Sequence, residues 1–248
     1  MPIRPRTTSN EIIAEIDAVL AKGVMLDPNS YMASDFFART EKLEKADPDE
    51  SLEIRALILH LCGDLDGALV ALGQRTHQNK LRDLVLLTNY SKCAAAQEIY
   101  THFCSPRSGH FWSNVHFAWP IGAFHQIASF AREAEKMHLK STKAVDLEEI
   151  YMIDELLNEL GVTDSDAAKV MGVAGSVLAA HGLMFMGSGP EVEIIGSHGE
   201  KRAVHLTYRL ATTATEAVST YLEFIEQLFH QELDMPPGFH ISFGGCAA

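Results

Sequence analysis

Apolar positions recur with a helical period through the first 140 residues and with a period of two near the C-terminus. Ile12, Ile13, Ile16, Val19 and Leu20 form one helical stripe, and Met32, Phe36, Phe37 and Leu43 form a second. Thr8-x-x-Glu11 reads as a capping box for the first helix and Gly23 as its stop. In Asp47-Pro48-Asp49-Glu50, a capping Asp and a Pro suited to the first helical position precede acidic residues that complement the helix dipole. The pattern predicts a helix starting near 48.

From there the pattern becomes one of helix pairs. Breaks at Gly63-Asp64, Ser91-Lys92 and Trp119-Pro120 are accompanied by Ala68, Ala96 and Ala123, spaced 28 and 27 residues apart. A small side chain at such a point lets paired helices approach closely, so the chain reads as α/α hairpin repeats. The segment Leu61-Cys62-Gly63-Asp64-Leu65-Asp66-Gly67-Ala68-Leu69 resembles the turn of a tetratricopeptide repeat, and Ala56 matches that family's small position in the first helix of a pair. The resemblance covers residues 48–140. It departs from the family in its shorter spacing, against about 34 residues, and in lacking the usual Trp, Tyr and closing Pro. It implies a protein-binding scaffold and transfers no catalytic residue.

Asp146-x-x-Glu149 can cap a helix whose Leu147, Ile150, Ile153, Leu156, Leu157 and Leu160 share one face, with Gly161 at its end. Thr163 opens a small-residue helix to about Ala180. Val192 and Ile194 then alternate with Glu191 and Glu193, and Val204, Leu206, Tyr208 and Leu210 with His205, Thr207 and Arg209, across a Gly196-Ser197-His198-Gly199 turn. Thr213-x-x-Glu216 starts a helix with Ala217, Val218, Tyr221, Leu222, Ile225, Leu228 and Phe229 assigned inward and Pro236-Pro237-Gly238 as its end, before a last strand, Phe239–Phe243. The predicted fold is therefore mainly α, α+β overall. A helical repeat-like domain (1–143) leads through an acidic connecting helix (144–162) to a small α-β-β-α-β module (163–248) with an antiparallel sheet.

Charge narrows the partners. The 248 residues hold 33 Asp+Glu against 20 Lys+Arg, a net charge of −13, and residues 144–248 alone carry −12. Nucleic-acid and membrane-surface binding both need basic faces, so neither is expected. The run Val170–Met186 contains Gly172, Gly175, Ser176 and His181 and falls short of the roughly 20 apolar residues of a membrane span. The N-terminus turns directly into an amphipathic pattern with Glu11, Glu15 and Asp17, and the four cysteines are scattered, which points to reduced thiols and a cytoplasmic setting.

The chemistry on offer is sparse, with no HExxH, GxxxxGK[ST], GxSxG or EF-hand pattern. The leading expectation is a non-enzymatic interaction scaffold or adaptor, whose helical repeats bind a protein or peptide partner and whose acidic α+β module aids assembly through a second partner or self-association; a basic partner would dock on Asp146, Glu149, Asp154, Glu155 and Glu159. Two alternatives stand beside it. One is a zinc-stabilised domain or metal-dependent enzyme that uses Cys104, His110 and His116, since thiolate and imidazole are natural zinc ligands; the leading reading needs no cofactor. The other is a small-ligand sensor with its site at the junction of the two parts, near His181 and Met184.

Overall fold

The structure, a computed structural model, describes residues 5–77, 80–108, 111–139, 145–184, 189–196 and 201–246. It has the expected mainly helical α+β architecture, with a small sheet at the C-terminal end. The helices are α1 (Pro5–Leu20), α2 (Tyr31–Glu44), α3 (Pro48–Leu61), α4 (Leu65–Gly73), α5 (Lys80–Asn89), α6 (Cys93–Phe103), a short α7 (Phe111–Asn114), α8 (Phe124–Lys136), α9 (Leu147–Leu160) and α10 (Asp164–Ala180). Strands β1 (Glu191–Ile195) and β2 (Ala203–Leu210) follow, then α11 (Ala214–His230) and β3 (Phe239–Gly245).

Polar side chains mark most of the helix starts. Asp47, Asp64 and Asp146 accept hydrogen bonds from the backbone N–H groups of Glu50, Gly67 and Glu149, while Thr163 with Asp166 and Thr213 with Glu216 form complete capping boxes. Thr8 corrects the reading of the N-terminus: α1 already begins at Pro5, so Thr8-x-x-Glu11 lies inside the helix. The residues at the hairpin crossings, Ala56, Ala68, Ala96 and Ala123, are all fully buried.

Helix α10 and the residues just past it support three turns. Gly122, at φ +70, packs against Met171 and Ala167, and Ser91 at the α5–α6 turn lies against Gly175. Just past the helix end, Val24 bridges to Leu183, Met25 N donates to Gly182 O at 2.8 Å, and Met184 N donates to Gly23 O at 2.9 Å. Small residues on α10 thus let backbone from the front helices come close. The core reflects this contact: Cys93 and Phe124 belong to the same apolar cluster as Met171, Leu206, Phe224 and Phe239.

The sheet order is β1-β2-β3, with β1 antiparallel to β2 and β3 parallel to it. This corrects the expected antiparallel sheet: α11 carries the chain back across the sheet, so β2-α11-β3 is a crossover and its two strands run the same way. Val204, Leu206, Tyr208 and Leu210 are fully buried beneath the helices. The opposite face is polar and paired within itself, Arg209 clamping Glu191 at 2.6 and 2.8 Å, His205 meeting Glu193 at 3.0 Å and Thr207 meeting Ser242 at 3.1 Å.

Candidate functional site

The acidic helix α9 does not present all five chosen carboxylates to solvent. Asp146 and Glu149 are exposed at its N-terminus, where Asp146 also caps the helix. Glu155 and Glu159 are exposed and line a shallow groove of about 450 Å³ with Met152, Ile194 and Arg202. Asp154 turns inward and is only 4% exposed, which removes it from any docking face.

There Asp154 binds His125 Nδ1 and an Arg132 guanidinium nitrogen, each at 2.6 Å. His125 Nε2 lies 2.7 Å from the Val162 carbonyl oxygen, so both ring nitrogens face acceptors, and the geometry suits an imidazolium. Burial works against that charge, but the Val162 carbonyl, Asp154 and Asp164 outweigh it and raise the pKa of His125 above 6.5. Asp164 in turn accepts from the backbone N–H groups of His125 and Gln126 at 2.8 and 3.0 Å, satisfying the start of α8 from another helix. The cluster ties α8, α9 and α10 together and serves the fold.

The cysteine and histidine candidates are dispersed. Cys104 is fully buried, and burial pushes its thiol up to about 12, so at neutral pH it is a protonated thiol and a poor ligand until a metal displaces the proton. His116 is exposed, and His110 lies outside the described residues. Among the described residues no group of three or more His, Cys, Asp or Glu is placed to hold a metal ion. At the junction, His181 is exposed and meets Glu223 at 2.7 Å, whereas Met184 is buried in the core built by α1 to α5. Neither residue lines the α9 groove, the groove beside β3 described below, or a cleft of about 270 Å³ between α2 and α3 that includes Thr40, Ser51 and Arg55.

The surface with the most distinctive character is one the apolar pattern misplaced. Helix α11 buries Ala217, Thr220, Phe224 and Leu228, and leaves Val218, Leu222, Ile225 and Phe229 exposed by 58%, 62%, 40% and 81%. These four follow one another at i, i+4, i+7 and i+11, a continuous ridge along one side of the helix. Val218 and Ile225, with Tyr221, form one wall of a groove of about 580 Å³, and Met235, Ile241 and Phe243 contribute to the rest. The sequence held part of the signal: apolar residues on α11 span more of the circumference than one buried face requires, but the buried Thr220 lies beyond the edge of that span.

No helix among the described residues is long and apolar enough to cross a membrane. Compared with protein-family models, curated proteins and solved structures, the chain matches none.

Proposed function

We propose that this protein is a binding scaffold for another protein, in which stacked helix pairs support an acidic C-terminal unit that makes the contact. The observation carrying this reading is the exposed ridge Val218, Leu222, Ile225 and Phe229 beside an apolar groove. Water-exposed apolar side chains are unremarkable singly; four in register against a concave apolar surface mark a contact face. The helix pairs and their resemblance to tetratricopeptide hairpins support the same reading, since such arrays hold surfaces for partners and need no chemistry of their own. The exposed carboxylates Asp146, Glu149, Glu155 and Glu159 would act as a secondary, electrostatic contribution to association rate.

The test compares wild type with a Leu222→Asp/Phe229→Asp variant, both shown to be folded by circular dichroism, in photo-crosslinking from positions on α11 in cell extract. A crosslinked species formed by the wild type and lost in the variant is the expected result. Identical crosslinking by the two proteins, or none from any position on α11, would refute the reading.

A further inference from the structure

The occupant of the groove can be argued from the backbone edge that opens onto it and from the charge around it. Strand β3 is the edge of the sheet. Val204 pairs with Phe239 and Leu210 with Gly245, Val204 N donates to Gly238 O, and Cys246 N donates to Leu210 O. Hydrogen-bonding direction alternates along a strand, so the even-numbered residues of β3 address β2, and Ile241 and Phe243 turn their N–H and C=O groups away from the sheet.

The two edges are protected differently. β1 has five residues and carries Glu191 and Glu193, charges of the kind that discourage a further strand. β3 has seven, Phe-His-Ile-Ser-Phe-Gly-Gly, with no Lys, Arg, Asp, Glu or Pro. It lies along the groove beneath Val218, Tyr221 and Ile225. An added strand could therefore gain main-chain hydrogen bonds and apolar contact at one place.

Charge selects what that strand is. From Ala211 to Cys246 there is no Lys or Arg, against five carboxylates. Glu232 and Asp234 are exposed where the chain returns from α11 toward β3. Of the arginines nearby, Arg209 is held by Glu191, and Arg202 lines the α9 groove together with Glu155 and Glu159. A second copy of this chain would bring the same carboxylates and its own −13. An extended segment with Lys or Arg alternating with apolar residues brings the opposite sign.

We infer that β3 accepts a basic, extended peptide segment as a fourth strand. Its apolar side chains enter the groove against Val218, Tyr221 and Ile225, and its cations, on the other face and at its ends, lie in the field of Glu232 and Asp234. This rests on α11 being a contact surface and adds the chemistry and conformation of the partner.

The probe is a capped, fluorescent seven-residue peptide of alternating Val and Lys, matching the length of β3, titrated against the full chain by anisotropy. Two relatives accompany it, one with Glu replacing Lys and one N-methylated at alternate amides so that one backbone edge cannot donate. Expected are binding by the Lys peptide that weakens from about 50 to about 300 mM salt, and at least about tenfold weaker binding by both relatives. A Glu232→Gln/Asp234→Asn variant should bind more weakly and with a flatter salt dependence. Equal binding of the Lys and Glu peptides overturns the charge assignment, and equal binding of the methylated peptide overturns the fourth strand. If no peptide binds, the inference fails. Sedimentation then separates two cases: self-association abolished by Leu222→Glu leaves α11 a contact face occupied by a second copy, and a monomer with no α11-dependent crosslink removes the functional reading as well.

Discussion

Ser91 and Gly175 meet so closely that a Cβ on residue 175 would lie 2.1 Å from the Ser91 Cβ and 2.6 Å from its Oγ. Ser91 cannot easily give way, because it is buried at the α5–α6 turn with φ +49. Gly175→Ala is therefore expected to destabilise the protein by about 1–3 kcal/mol through forced displacement of packed backbone. Gly73→Ala is the contrast: nothing lies within 4 Å of that helical position, and the substitution is expected to gain about 0.5–1 kcal/mol. Equilibrium denaturation of both variants checks the pair, and equal effects would contradict the described contact.

Two histidines carry opposite pH dependences. His125 has a raised pKa, so its stabilising contribution is complete below about 6.5 and is lost as pH rises through the folded value. His125→Gln should lower the melting temperature more at about pH 5.5 than at about pH 9. Burial lowers the pKa of His60 to about 4, so the unfolded chain takes up its proton first and stability falls as pH drops from 6.5 toward that value. His60→Leu should keep a larger share of its neutral-pH stability at about pH 5 than the wild type does. Thermal melts across pH read out both signs.

The two faces of α11 should respond very differently to substitution. Phe224 is fully buried and touches both Tyr221 and Phe243, and Phe224→Ala is expected to cost about 3–5 kcal/mol. Phe229 is largely exposed, and Phe229→Ser should change stability by no more than about 0.5 kcal/mol. Urea titration decides; a large loss at Phe229 would show that its face is covered by the chain itself.

Arg75 and Arg209 pair with carboxylates in different surroundings. The Arg75 side chain is fully buried, its Nε donating to Leu72 O and its terminal nitrogens reaching Glu53 at 2.8 Å and Asp83 at 3.0 Å. Removing it leaves Glu53 with Arg82 at 3.2 Å and Asp83 with Lys80 at 3.1 Å, so Arg75→Ala is expected to cost about 1–3 kcal/mol, through lost buried hydrogen bonds and packing. Arg209 holds Glu191 with comparable distances but in the open, and Arg209→Ala should cost much less than Arg75→Ala. Denaturation midpoints at matched salt compare them.

Much of this architecture was legible where a local rule acts alone. Asp47, Asp146, Thr163 and Thr213 start helices because each offers an oxygen to an otherwise unpaired N–H three residues on, a relation contained in four consecutive residues. The parallel pairing of β3 was missed although α11, with 17 residues between two strands, is the length of a crossover connection. Which part of the apolar arc on α11 is buried could not be read locally, because only the packing of Phe224 against Phe243 on the sheet decides which side is covered. Asp154 was misjudged for a related reason. It stands in an acidic run, but its partners His125 and Arg132 lie 29 and 22 residues earlier, on another helix.

The seating of three turns on α10 and the residues just past it has a consequence for biosynthesis. Ribosomes deliver the front helices well before residues 164–184, so the Gly23, Ser91 and Gly122 bends emerge with the surface they rest on still unmade. Nascent chains halted before α10 should then be captured by chaperones and cut readily by protease, and both susceptibilities should fall together once that single segment clears the exit tunnel.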